Sequence, residues 1–216
     1  MNDKSQQMQN RMSESIGRAT PAPDRRGNPR RFAFLLMENF TLLSFAAAVD
    51  TLRIANRASD GDTYTWCLIG EGGETMASST GTSFALDHDL IELTRDDVLI
   101  VCGGLEIQEA TTKRIISWLR REARKGIPIA GLCTAAHTLA KAGLLDGKKA
   151  TIHWENQDSF AEEFDEVELT KSVFVVDGNR MTTAGGTSSI DLLLKIIATD
   201  LGEEVANSVA DKQIHS

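Results

Sequence analysis

Apolar residues in this chain fall into two kinds of run that alternate along its length. Residues 31–37 (RFAFLLM), 97–102 (DVLIVC) and 127–132 (IPIAGL) are nearly unbroken apolar stretches, the last interrupted only by Pro128 and Gly131. Residues 63–69 alternate like a strand and stop at Gly70-Glu-Gly-Gly73. Between these runs, apolar side chains recur at helical spacing: Leu42, Phe45, Ala46, Val49 and Leu52, then Ile107, Ile115, Trp118, Leu119 and Ala123, then Ile190, Leu193, Leu194, Ile197 and Leu201. A strand apolar at every position is covered on both faces, and strands that alternate with amphipathic helices form parallel sheets. The pattern therefore predicts an α/β fold: a doubly wound, mostly parallel sheet with helices on both faces.

Smaller features fill in the rest. Residues 75–86 predict a short strand pair split by Gly81, and Asp177-Gly178-Asn179 predicts the turn of a hairpin between 173–178 and 180–183. A single helix is expected from Ile107 to Ala123, closed by Lys125-Gly126, and a strand over 149–154 followed by a polar-faced helix over 155–164. Ser188 or Ser189 is the expected cap of a long helix, with a further helix over 203–214. Ahead of all this, residues 1–28 are rich in Gln, Asn, Ser and Arg and lack any apolar period. They predict a disordered, mildly basic leader over 1–29, read as a solvated tail in preference to a nucleic-acid arm, before one domain over 30–216.

The stretch Ile129-Ala-Gly-Leu-Cys-Thr-Ala-Ala-His-Thr-Leu-Ala140 runs an apolar strand straight into an Ala- and Leu-rich helix, with Cys133 at the bend. Gly131 and Ala135 leave room for a sharp turn of the nucleophile-elbow kind, which lifts one side chain above the sheet and aims helix-terminal N–H groups at whatever binds there. A thiol so placed is expected to have a lowered pKa. In such sheets ligands bind at the carboxyl ends of the strands. Four segments converge there by this reading: Asn39 and Phe40 beside Glu38, Gly103 and Gly104 after Cys102, Cys133 with Thr134, and His153 with Trp154. The two glycines can present bare N–H groups as an oxyanion hole requires, or form an ordinary turn. His153 is a general base if it reaches the thiol, and otherwise a structural hydrogen-bonder. Trp154 is either a cover for the sheet or a wall for a methylammonium group. His137 reads as packing beneath the elbow, His88 as loop surface, and Cys67 and Cys102 as small core residues.

Bulk properties narrow the classes. The 216 residues are 41% hydrophobic and 25% charged, enough for one good-sized α/β domain. A formal net charge of −8 argues against the chain as a whole being a nucleic-acid clamp. Three cysteines cannot all pair, and their apolar settings predict reduced thiols and a cytoplasmic location. No apolar run of transmembrane length and no signal peptide is present, and no His/Cys/Asp cluster has metal-ligand spacing, so neither a membrane partner, a metal nor a cofactor is expected.

Taken together, the Gly103-Gly104 pair, the elbow Gly131-Leu-Cys-Thr-Ala-Ala136 and Ala150-Thr-Ile-His-Trp154 resemble the PfpI/ThiJ branch of the class I glutamine amidotransferase-like superfamily. The segments 40–56, 139–147, 151–155 and 176–192 resemble more closely the sensor domains of GlxA-type AraC-family transcriptional regulators. That resemblance implies a flavodoxin-like domain that forms a homodimer and binds a small amino-acid-derived or quaternary-amine effector at the elbow without catalysis. DNA would be gripped only by a C-terminal helix-turn-helix domain, expected to lie outside this chain. Hydrolytic relatives carry an acidic residue in the first helix region, where alignment on Asp50-Thr-Leu-Arg53 places Ser44, although Glu38 can lie near. Many sensor relatives lack the elbow cysteine. Cys133 therefore keeps open the alternative of a cysteine-dependent hydrolase or glyoxalase-like enzyme in which Cys133 attacks and His153 moves the proton, and leaves room for a redox-responsive or purely structural dimer module.

Overall fold

The computed structural model describes residues 29–215, so the leader predicted over 1–29 lies outside the described residues except for Pro29. In chain order the elements are β1 (Arg30–Leu36), α1 (Leu42–Ala58), β2 (Tyr64–Ile69), β3 (Thr75–Ala77), β4 (Ser83–Ala85), β5 (Val98–Cys102), α2 (Ile107–Ala110), α3 (Lys113–Ala123), β6 (Ile129–Leu132) and α4 (Ala135–Lys141). There follow β7 (Lys149–Ala150), a 3-10 turn (Trp154–Asn156), α5 (Gln157–Glu163), β8 (Glu168–Leu169), β9 (Phe174–Asp177), β10 (Arg180–Thr183), α6 (Ser188–Leu201) and α7 (Glu203–Gln213).

Six strands form the central sheet in the order β2-β1-β5-β6-β10-β9. Every neighbouring pair is parallel except β9 and β10, which form the predicted antiparallel hairpin. The chain moves outward from β1 to β2 and then back across β1 to β5. That reversal opens a crevice at the carboxyl ends of β1 and β5, the place where doubly wound sheets bind ligands.

Alternation along each strand explains the unbroken apolar runs. Ala33, Leu35, Met37, Leu99 and Val101 point to one face and pack with Ile115, Trp118, Leu119 and Leu139 of α3 and α4. Their chain neighbours Phe32, Phe34, Leu36, Val98 and Ile100 point to the other and pack with Phe45, Leu52, Leu193 and Ile197 of α1 and α6. Because side chains alternate with period two, a strand sandwiched between helix layers needs an apolar residue at every step. At the amino edge, Arg30 donates from Nη1 to both carboxylate oxygens of Asp200 at 2.8 and 2.7 Å, and the Tyr64 hydroxyl donates to the same carboxylate at 3.1 Å. This buried cluster ties the start of β1 to the end of α6.

Three local expectations are corrected. The single helix predicted over 107–123 breaks into α2 and α3, because the Thr112 side chain accepts the Ile115 N–H at 3.1 Å and starts a new helix. The strand predicted over 149–154 shortens to β7: the Thr151 N–H donates to the Thr182 hydroxyl at 2.8 Å, and His153 leads into the 3-10 turn. Neither Ser188 nor Ser189 caps α6; its N-cap is Thr187, and the Ser188 hydroxyl instead donates to the Gly185 carbonyl at 2.7 Å. Among the described residues, no helix is long and apolar enough to cross a membrane.

Candidate functional site

Cys133 sits between β6 and α4 with φ 60°, a left-handed conformation that an L side chain adopts only under constraint. Four glycines supply that constraint. A Cβ on Gly131 would lie 3.0 Å from Leu139 Cδ1 and 3.2 Å from the Ala136 nitrogen, so only glycine lets α4 return this close to its own strand. A Cβ on Gly103 would run into the Ala135 nitrogen, and one on Gly104 into the Asn39 carbonyl oxygen. One on Gly185, itself at φ 91°, would lie 2.9 Å from Cys133 Sγ. The carboxyl ends of β1, β5, β6 and β10 thus meet by backbone approach around one sulfur. Asn39 (φ 57°) and Glu106 (φ 52°) share the left-handed conformation and the same edge, a concentration of strain typical of ligand-binding regions.

The sulfur itself is nearly closed off, with 5% of Cys133 exposed. Its hydroxyl partner is Thr41, which donates to Sγ at 3.5 Å from the start of α1. Burial pushes the thiol pKa up, against the lowering effects of the Thr41 hydroxyl and the Thr134 N–H, and the charge of Glu155 adds to the rise. The lowered pKa expected of a helix-terminal thiol is therefore reversed, because desolvation outweighs two hydrogen bonds. The Thr183 hydroxyl accepts the N–H groups of Cys133 and Gly185 at 3.5 and 3.3 Å, and the Ser44 hydroxyl accepts that of Gly186 at 2.9 Å. Ser44 and Thr183 together fasten the loop between β10 and α6 over the sulfur.

The other predicted site residues are distributed unevenly. Gly103 and Gly104 lie at the elbow, and the Gly103 N–H donates to the Leu132 carbonyl at 3.3 Å, so that amide is already spent within the protein. Thr134 spends its hydroxyl on the Gly104 carbonyl at 2.7 Å. Phe40 is fully buried, edge-to-face with Phe45 and Phe84, and is core where a ligand wall was expected. Asn39 donates from Nδ2 to Glu106 Oε2 at 3.3 Å, and with Glu38, Glu106, Glu109 and Ala110 it lines a small acidic cavity of about 70 Å³. His153 places Nδ1 3.6 Å from Glu155 Oε2 and packs its ring 5.9 Å from that of Trp154, which is 72% exposed. The hydrogen-bond partner of the thiol is thus Thr41, not His153. His137 packs beneath the elbow as expected, with Nε2 3.1 Å from Glu163 Oε2 and its ring against Phe164. Cys67 and Cys102 are buried, and burial pushes both thiols up.

Sequence reasoning misses Thr41, Thr183 and Gly185 as site residues, and reaches Ser44 only through its alignment with the acidic residue of hydrolytic relatives. Two signals for them exist: Thr41 directly precedes an amphipathic run, and Gly185-Gly186 joins a strand to a helix just as Gly103-Gly104 does. No group of three or more His, Cys, Asp or Glu side chains among the described residues is arranged to hold a metal ion.

The DJ-1/PfpI family pattern matches residues 30–199. The chain belongs to the DJ-1/PfpI family. This DJ-1/PfpI domain is 40% identical over 181 residues to the HTH-type transcriptional regulator CdhR of Pseudomonas aeruginosa, covering 84% of this chain and 54% of that protein. It is 37% identical over 190 residues to the HTH-type transcriptional regulator GlxA of Rhizobium meliloti, covering 88% and 59%. The chain therefore spans little more than half the length of these curated relatives. Among solved structures, an AraC family transcriptional regulator from Pseudomonas putida superposes with a TM-score of 0.75 at 27% identity, covering 86% of this chain and 100% of that one.

Proposed function

We propose that this DJ-1/PfpI domain is the effector-sensing and dimerisation part of an AraC-family transcriptional regulator, acting by binding and not by catalysis. The observation that carries this reading is the state of Cys133: a buried thiol with a raised pKa, hydrogen-bonded to the neutral Thr41 hydroxyl. Nucleophilic catalysis needs a thiolate and a base in contact with it. A buried thiol held by one hydroxyl and one backbone N–H instead suits a rigid floor for a ligand. The likeness to HTH-type regulators over half their length supports the regulatory class.

The effector class follows from the charges at this edge. Glu38, Glu106 and Glu109 border the small cavity, and Trp154, next to the Glu155 whose charge reaches Cys133, is 72% exposed. Carboxylates and an open indole each suit a cation, such as an amino-acid-derived or quaternary amine. Exposed Leu43 and Leu105 near the same edge suit a contact with a second copy. Effector binding would bias the arrangement of the two protomers and so of DNA-reading segments outside this chain. Calorimetric titration with glycine betaine, carnitine and arginine tests this, alongside sedimentation of the free domain. Saturable binding by one amine, retained in Cys133→Ala, is the expected result. Silence across the panel from a folded protein overturns the effector reading, and a monomer at high concentration overturns the dimer.

A further inference from the structure

A second hollow lies at the opposite end of the sheet from Cys133. Its volume is about 360 Å³, and its lining consists of Arg120, Ala123, Arg124, Ala142, Leu144 and Arg180. Arg120 comes from α3, Arg124 from the residue that ends it, and Ala142 and Leu144 from the segment after α4. Arg180 opens β10 in register with Ile129, the first residue of β6, whereas Cys133 follows the last. At about 3.3 Å per residue, the cavity and the thiol stand about 13 Å apart along the strand.

Three guanidinium groups border this space and no carboxylate does, in a protein whose formal net charge is −8. Among the described residues, none of the three makes an ion pair; Arg121 and Lys125 on the same stretch both pair with Glu122. Arg180 is the telling one. It is 8% exposed, its Nη1 donates to the Ile127 and Asn179 carbonyls at 3.3 and 3.1 Å, and its Nε is buried with no hydrogen-bond partner. A buried guanidinium with an unused donor is costly, and burial pushes its pKa down for lack of a nearby anion. Arg120 is held in place by donating Nε to the Ala142 carbonyl at 3.0 Å, which also satisfies the carboxyl end of α4.

Planar guanidinium forks match the oxygen geometry of phosphates and carboxylates. We propose that this arginine-lined cavity binds a small polyanion, a phosphate ester or a di- or tricarboxylate, with Arg180 as its buried anchor and Arg120 and Arg124 closing on it from α3. This site is separate from the elbow and does not depend on the effector reading.

The test is calorimetric titration of the intact chain with pyrophosphate and with citrate, which distinguishes the two oxyanion sources. The expected result is saturable binding of at least one of them with Kd below about 1 mM. Arg124→Ser should weaken it by at least about tenfold, the size of one lost charge-assisted hydrogen bond. Arg180→Met should weaken it further, and Cys133→Ala should leave it unchanged. Should Arg180→Met fail to fold, the exposed Arg124→Ser variant carries the test alone. No saturation by either anion, equal affinity in wild type and Arg124→Ser, or preference for a short DNA duplex over both anions would each overturn the proposal.

Discussion

At the carboxyl end of β6, Cys133 is surrounded by backbone: Gly103, Gly104, Gly131 and Gly185 allow chain segments to touch, and hydroxyls from Thr41, Ser44 and Thr183 satisfy the groups left over. Near the amino end of the same strand, three arginine side chains line an open hollow and one buried donor stays unused. The first region is shaped by what is missing from the side chains, the second by what the side chains carry. A further contrast lies within the amino edge. Arg30 and Arg180 each open a strand and each is buried, but Arg30 meets Asp200 and Tyr64 whereas Arg180 meets only carbonyls. Complete pairing marks a structural group, and a buried cation without a counter-charge marks a place for something else.

That contrast is sharpest under mutation. Asp200→Ala should cost about 3–5 kcal/mol, because it strands the Arg30 charge in the interior. Arg180→Met, which deletes a buried charge that has no carboxylate partner, should change stability by no more than about 1 kcal/mol. Urea unfolding midpoints measure both, and equal losses would erase the distinction between the two arginines. Next in size, Gly103→Ala and Gly104→Ala should each cost about 3 kcal/mol, since the added methyl meets backbone that cannot move aside. Arg124→Ser at the cavity rim should stay within about 0.5 kcal/mol of wild type.

Chemical reactivity gives a finer probe of the elbow. Cys133 should react with iodoacetamide more slowly than a free cysteine at about pH 8, with its rate rising only above the ordinary thiol range of about 8.5. A rate inflection below neutrality would mean that the helix terminus prevails over burial after all. The smallest effect concerns His137 beneath the elbow. Burial holds its pKa below the ordinary value, while the Glu163 hydrogen bond pulls the other way. The unfolded chain thus takes up this proton more readily, and stability falls as pH drops from about 6.5 through the folded value. His137→Gln should flatten the stability profile between about pH 7 and 5, by less than about 1 kcal/mol. An unchanged slope would assign it to other groups.

Much of the scaffold was readable before any coordinates. The unbroken runs at 31–37 and 97–102 appear as β1 and β5, with a core on each face, because period-two alternation between two helix layers leaves no polar position. The elbow was readable as well, since Gly131, Cys133 and the Ala-rich run that follows form a local strand-to-helix signature. The site around it was not. Phe40 looked like a pocket wall, but the ring partners that bury it, Phe45 and Phe84, lie on a helix and on a separate two-stranded sheet. His153 looked like a strand end because the apolar pattern of 149–154 says nothing of Thr182, whose hydroxyl captures the Thr151 N–H.

Local periodicity was enough to determine the main alternation of strands and helices, the coverage of both sheet faces and the bend at Cys133, since each depends on neighbours a few positions apart. The identity of the group against the sulfur, the purpose of the double glycine and the gathering of Arg120, Arg124 and Arg180 were decided only by folding. Thr41 and Cys133 are 92 positions apart, and Arg180 and the Ile127 carbonyl 53. Burial, and with it the direction of a pKa shift or the cost of an unpaired donor, belongs to such long-range meetings, and no periodicity along the chain records them.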